Sequence, residues 1–271
     1  MTTVFKERRA PDLTRSDVGV VEVREWERQW SPGTEEFFDA SGSEHWPTGL
    51  ISANLFQDIN SQTMLSYRQW ANEESLRRFA RRPHTSLLAE RHIAVPSAES
   101  VLYHVYRRRF RRDAPEPGCF VMVSVEFDGP DQERQKRWID TVLDAIDADP
   151  NPPSGGISGH FHVSLDGTRV LNYAEWEDEQ SHQRAMEQTG EMTVIRGPNW
   201  QQVRDFKGVQ RAGFKRYRLI YSLSIPDWDA APVCKHKEWI TGYPYIVRQG
   251  KDCVRSGSTP MEPRNRNASE V

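Results

Sequence analysis

The chain has 271 residues, 28% of them charged, and a formal net charge of −3. That length suits two domains of ordinary size, and that charge gives no overall pull toward nucleic acid or an anionic membrane. Three cysteines without framework spacing, Cys119, Cys234 and Cys253, exclude a disulfide scaffold and fit a reducing, cytoplasmic setting.

Residues 1–16 are polar and read as a flexible tail without the apolar core of a signal peptide. Val18 to Trp26 alternates as a strand, Pro32 to Ala40 suggests a short helix, and Leu50 to Ile59 with Met64 to Trp70 form a strand pair. Glu73 to Arg82 is helical and stops before Pro83, because a residue preceding proline avoids the helical region. Val101 to Arg109 alternates again as a strand. Phe120 to Phe127 is the next strand, and Asp131 to Asp149 carries Trp138, Val142, Leu143 and Ile146 on one helical stripe. After the breaker PNPPSGG, Ile157 to Leu165 and Arg169 to Trp176 make a hairpin around Asp166-Gly167. Helices over Glu179 to Gln188 and near Trp200 to Lys207 precede a last strand, Phe214 to Ile225. Residues 229–271 turn polar and Gly/Pro-rich and read as an arm and a disordered tail. No segment approaches the roughly 18 apolar residues of a membrane span.

The order β-α-β-β-α-β occurs twice, and so does the sequence. Shifted by 106 positions, Gly49 falls on Gly155, Tyr67 on Tyr173, Trp70 on Trp176, Ser75 on Ser181 and Arg78 on Arg184. This is the ferredoxin-like arrangement, with one sheet face covered by helices. The other face needs a cover, which a second copy supplies. The expected fold is therefore α+β: two tandem ferredoxin-like domains, residues 17–113 and 114–228, packed as an intramolecular pseudo-dimer.

The copies differ where chemistry would sit. Asn172 and Trp176, four apart on a strand, share a face, and an amide beside an indole suits an aromatic ligand. His160 and His162 share a face of the preceding strand. A two-residue Asp-Gly turn pairs Phe161 with Asn172 and sends His162 away; a three-residue turn with Gly167 as a bulge brings His162 alongside. The sequence permits both. His182 lies on the following helix, and histidine can change charge near neutrality. The first copy has Phe56, Ser66 and Leu76 where the second has His162, Asn172 and His182, which marks it as a degenerate partner.

The stretch GGISGHFHVSLDGTRVLNYAEWEDEQSHQRAM, with VLNYAEWEDEQ its most telling part, resembles the antibiotic biosynthesis monooxygenase family, and within it the small anthrone oxygenases of aromatic polyketide pathways. The resemblance implies a dimeric α+β barrel, here within one chain, that oxidises a phenolic anthrone-type carbon. O₂ would be the co-substrate, with no flavin, haem or metal cofactor. It implies catalytic roles for His162, Asn172 and Trp176. His182 stands where the family has a tyrosine, and Arg204 is matched to the family's arginine. His160 and Tyr173 are the expected substrate contacts. The partner is a small aromatic polyketide, with no nucleic acid or membrane, and the sequence permits, without requiring, a homodimer of pseudo-dimers. A polyketide cyclase and a non-catalytic ligand-binding scaffold are the alternatives. Haem degradation is disfavoured because the helix EQSHQRAMEQTGEM has neither a tryptophan nor a later histidine. Other signatures are missing: no G-x-G-x-x-G after a strand, no P-loop and no H-E-x-x-H. Cys234 and His236 are too isolated for zinc. The basic runs at Arg77–Pro83 and Arg107–Arg112 read as solvated or edge-protecting charge.

Overall fold

The computed structural model describes residues 5–7, 10–27, 46–81, 100–111, 113–149, 153–189 and 198–225. The helix expected over residues 32–40 and the C-terminal arm and tail, 229–271, lie outside them. The strands are β1 (Phe5–Glu7), β2 (Val20–Glu27), β3 (Leu50–Asp58), β4 (Thr63–Trp70), β5 (Ser100–Phe110), β6 (Cys119–Phe127), β7 (Gly156–Ser164), β8 (Arg169–Trp176) and β9 (Val209–Ser224). The helices are α1 (Glu73–Ala80), α2 (Gln132–Asp147), α3 (Glu179–Thr189) and α4 (Pro198–Arg204).

Local sequence chemistry sets the helix starts. Asn72 accepts from the Ser75 amide at 2.9 Å and Asp131 from the Arg134 amide at 2.8 Å, satisfying donors that have no intrahelical partner. In the second half Asp178 does the same for the Ser181 amide at 2.6 Å. Gly49 and Gly155, equivalent in the repeat, both adopt positive φ, 84° and 90°. A Cβ on Gly155 would lie 2.5 Å from the Ser181 Cβ, so this packing of strand against helix requires glycine.

The sheet runs β1-β9-β3-β4-β2-β5-β7-β8-β6, and an additional β9–β6 pairing closes eight of the strands into a ring. Closure removes sheet edges. Two long strands join the halves. β5 pairs with β2 through Ser100–Tyr103 and with β7 through Tyr103–Phe110. β9 pairs with β6 through Val209–Tyr217 and with β3 through Tyr217–Ser224. The arginines of β5 therefore do not guard an edge. Arg107 pairs with Asp140 and Arg109 with Asp147 on α2, and Arg111 pairs with Glu177 just past β8.

Alternation sends one set of side chains inside the ring and the other outward under the helices. The inner set includes Val21, Val23, Phe56, Leu65, Tyr67, Tyr103, Phe120, Met122, Leu171, Tyr173 and Tyr217. The outer sets pack α2 and α4 over Val125, Phe127, Phe161, Val163 and Val170, and α1 over Val20, Leu50, Ala53 and Trp70. The expected flexible tail is ordered over residues 10–17. Leu13, 4% exposed, joins the inner core; Asp12 O accepts from Gln69; and Arg15 donates to Ile225 O. Burying one leucine and satisfying these groups offsets the entropy of holding the segment. β1 adds to the open side of β9.

Candidate active site

The β7–β8 register decides how the candidate residues divide. Phe161 pairs with Asn172, His162 with Leu171 and His160 with Tyr173. This is the register centred on Asp166-Gly167, with Gly167 at φ 78°. Because the side-chain period is two, this register puts His162 and Asn172 on opposite faces. The expected set is thereby split: His160, His162 and Tyr173 point into the ring, whereas Asn172 and Trp176 lie on the helix side.

Inside the ring His162 is fully buried. Its Nδ1 lies 3.2 Å from Leu171 O and its Nε2 2.8 Å from the Tyr67 hydroxyl. A carbonyl only accepts, so Nδ1 carries the proton and Tyr67 donates to Nε2. Burial holds the His162 pKa down at about 4, against smaller opposing backbone hydrogen bonds. His160 is lowered further, to about 3, by burial and then by His162 and Arg108. The repeat explains a neighbouring oddity. Tyr173 occupies the position of Tyr67, but its partner position holds Phe56, with ring centroids 6.0 Å apart. The buried Tyr173 hydroxyl accordingly has no hydrogen-bond partner, and burial raises its pKa far above the usual phenol range. His162 and Tyr173, expected to act on substrate, are packed into the core of the ring.

On the helix side, register builds a patch. Asn172 is opposite Val123, which is opposite Phe214; Ala174 is opposite Val121, which is opposite Arg216; Trp176 is opposite Cys119. The floor is apolar, with Cys119, Val121 and Ala174 packed beside Val123, Trp176 and Phe214. His182 stands over it from α3, its ring edge-on to Trp176 at 4.8 Å and to Phe214 at 5.0 Å. The Arg216 Nε donates to His182 Nδ1 at 2.8 Å, and Arg216 Nη2 donates to Gln183 Oε1 at 2.6 Å. An arginine does not give up its proton, so neutral His182 carries its own on Nε2. Burial, then the Arg216 charge, lowers the His182 pKa to about 4. The Asn172 Oδ1 is buried without a hydrogen-bond partner.

Trp176 and His182 are therefore brought together and Asn172 shares their face of the sheet, whereas Arg204 sits exposed at the end of α4. Arg216 and Phe214 were missed by sequence reasoning. They lie on a strand with several basic residues, and only its register against β6 shows which face the helices. A depression of about 440 Å³ beside Ala10, Pro117, Gly118, Phe120, Arg218 and Leu219 is lined by none of the candidates.

The first half fills the equivalent patch differently. Trp70 is fully buried, and its indole N–H donates to Glu22 at 3.3 Å. Arg24 donates to the same carboxylate at 2.9 Å, and Arg68 is 3.6 Å from it. Leu76 packs on Trp70 where His182 meets Trp176. A buried ionic cluster thus stands where the second half has valines and alanine.

No family model matches the chain. Over 68 residues it is 35% identical to the tetracenomycin-F1 monooxygenase of Streptomyces glaucescens, a stretch amounting to 24% of this chain and 57% of that enzyme. The chain thus spans little more than half the length of this curated relative. Among solved structures, an anthrone oxidase-like protein superposes with a TM-score of 0.54 at 14% identity, covering 76% of this chain and 93% of that one. A candidate monooxygenase from Fusobacterium nucleatum gives 0.50 at 9% identity, covering 78% and 96%. Both show the fold. Taken with the motif in the second repeat, these findings support a member of the antibiotic biosynthesis monooxygenase family. Among the described residues no helix is long and apolar enough to cross a membrane, and no group of three or more His, Cys, Asp or Glu is placed to hold a metal ion.

Proposed function

We propose that the chain is a cofactor-independent monooxygenase of antibiotic biosynthesis. Its reaction oxidises a phenolic, anthrone-type polyketide intermediate with O₂, at the helix-side patch of residues 114–228. Residues 17–113 form the degenerate half of an intramolecular pseudo-dimer. One observation carries the reading: a buried, unsatisfied Asn172 Oδ1 on an apolar floor bounded by Trp176, Phe214 and a neutral His182. A buried acceptor without a donor costs about 1–3 kcal/mol, and a substrate hydroxyl would supply the donor. The names of the curated relative and of the anthrone oxidase-like structure support the same chemistry.

The stoichiometry balances without a reductant. A ring methylene and O₂ give a ring carbonyl and water, one oxygen atom going to each product. The substrate anion passes an electron to O₂, the radicals join at carbon, and the hydroperoxide loses water. Asn172 Oδ1 accepts from the phenolic hydroxyl, and the His182 Nε2–H is a donor for a substrate oxygen. Trp176 and Phe214 hold the ring. His162 lies across the sheet, and His182 Nδ1 is occupied, so neither is the base in this geometry; the site works by stabilising the anion.

The test is O₂ uptake by metal-stripped, flavin-free protein with dithranol, alongside Asn172→Ala and Trp176→Ala. Protein-dependent uptake that falls in both variants supports the reading. Uptake unchanged in both moves the site elsewhere, and no uptake with any anthrone favours a cyclase or a binding protein.

A further inference from the structure

Among the described residues Arg216 is a buried cation without an ion-pair partner. It is 8% exposed, and among the described residues its polar contacts are neutral: His182 Nδ1, Gln183 Oε1 and the face of Phe214, with the guanidinium carbon 5.2 Å from the ring centroid. Burying an unpaired charge is expensive, and structures keep such a group where a ligand supplies the opposite charge. The fork geometry adds a second point. The Nε–H is spent on His182, which leaves that imidazole with a single N–H, on Nε2, in the patch bounded by Trp176 and Phe214.

We propose that Arg216 is the positioning residue of this site: it locks His182 as an Nε2–H donor, and its uncompensated charge selects the anionic form of a phenolic ligand. The inference rests on the helix-side patch being the substrate site. It gives Arg216 the anion-favouring role that sequence resemblance would give Arg204. The other groups around His182 are Cys119 on β6, whose thiol burial pushes up to about 11, and Asp178 and Glu179 at the start of its own helix. The Asp178 carboxylate is held by the Ser181 amide. The one cation bonded to the ring is Arg216.

Two readouts test this on the full-length protein. The first needs no substrate: long-range ¹⁵N–¹H correlation of the histidines, with His182 identified by the signal lost in His182→Gln. The expected result is a neutral Nε2–H ring down to pH 5. In Arg216→Gln the titration midpoint moves toward the ordinary value of about 6.5. An Nδ1–H ring, or a protonated one at pH 7, overturns the proposal in the native protein alone, whether or not the variant folds. The second readout is the visible ionisation of bound 1,8-dihydroxyanthraquinone. The bound midpoint should fall by about one pH unit, a tenfold preference for the anion. Arg216→Gln should abolish that fall and Arg216→Lys should keep most of it. A midpoint that Arg216→Gln leaves unchanged overturns the charge role. If the His182 signature holds but dithranol consumes no O₂, the monooxygenase reading fails while the tautomer lock stands.

Discussion

The two halves carry a tryptophan at matching positions of the sequence repeat, Trp70 and Trp176, but use their helix-side space in opposite ways. In the first half Trp70 donates into Glu22, which Arg24 and Arg68 also hold. In the second the matching surface is Val121, Val123 and Ala174, with the polar groups pushed to its rim. A surface filled by its own carboxylate, guanidinium and indole groups leaves a ligand no apolar floor. An apolar floor with one unsatisfied amide oxygen and, among the described residues, one cation without an ion-pair partner invites one. The contrast is between a surface closed by interlocked polar side chains around Glu22 and one left apolar with its polar groups at the rim.

The contrast can be broken most forcefully at the tryptophans. Trp70→Ala should cost about 3–5 kcal/mol in denaturant unfolding, as expected for a large buried aromatic, and should act on stability before activity. If it proves mild, the first half is not the scaffold described. In the second half, Asn172→Ala should lower the O₂ uptake rate by about 10²-fold, the loss that misplacing a bound substrate can cause, with little change in melting. Ser66→Ala, its counterpart, should change the rate by less than about twofold on the same scale of argument. Equal losses at the two positions would mean that both halves are active.

Acid should act through the ring interior. His160 and His162 have folded pKa values of about 3 and 4, below the unfolded value of about 6.5. The unfolded chain therefore binds more protons as pH falls from about 6.5 toward 4. Stability is lost across that window at up to about 1.4 kcal/mol per pH unit for each histidine. His162→Gln should flatten part of that slope in urea titrations run between pH 7 and 4. The smallest effects separate the two tyrosines. Tyr67→Phe leaves the buried His162 Nε2 without a donor and should cost about 1–3 kcal/mol. Tyr173→Phe removes a hydroxyl that already lacks a partner and should be neutral or slightly stabilising. Equal costs would contradict the asymmetry between His162 and Phe56.

Much of this was legible beforehand because it depends on local pattern. The repeat, the hairpin around Asp166-Gly167 and the helical stripe of Trp138, Val142, Leu143 and Ile146 are all short-range signals. The faces were not legible, because a one-residue choice at a turn reverses every side chain of a strand. That is why the sequence left open whether His162 joins Asn172, and the register puts it behind that residue. Arg216 was hidden for a related reason. Lys215, Arg216 and Arg218 look alike in sequence, and only pairing with Val121 distinguishes the buried one. The Glu22 cluster was missed because its three members are far apart in the chain, and charges in strands usually read as solvated.

The long final strand also bears on how the protein is made. Ser224 pairs with Ser52 and Tyr217 with Phe120, so the ring cannot shut until the segment over residues 209–224 has left the ribosome. Until then β3 and β6 each present a bare hydrogen-bonding edge carrying buried-type side chains, the kind of surface on which nascent chains associate wrongly. The interval between synthesis of β8 and β9 is therefore the stage at which a folding chaperone would matter most to this protein.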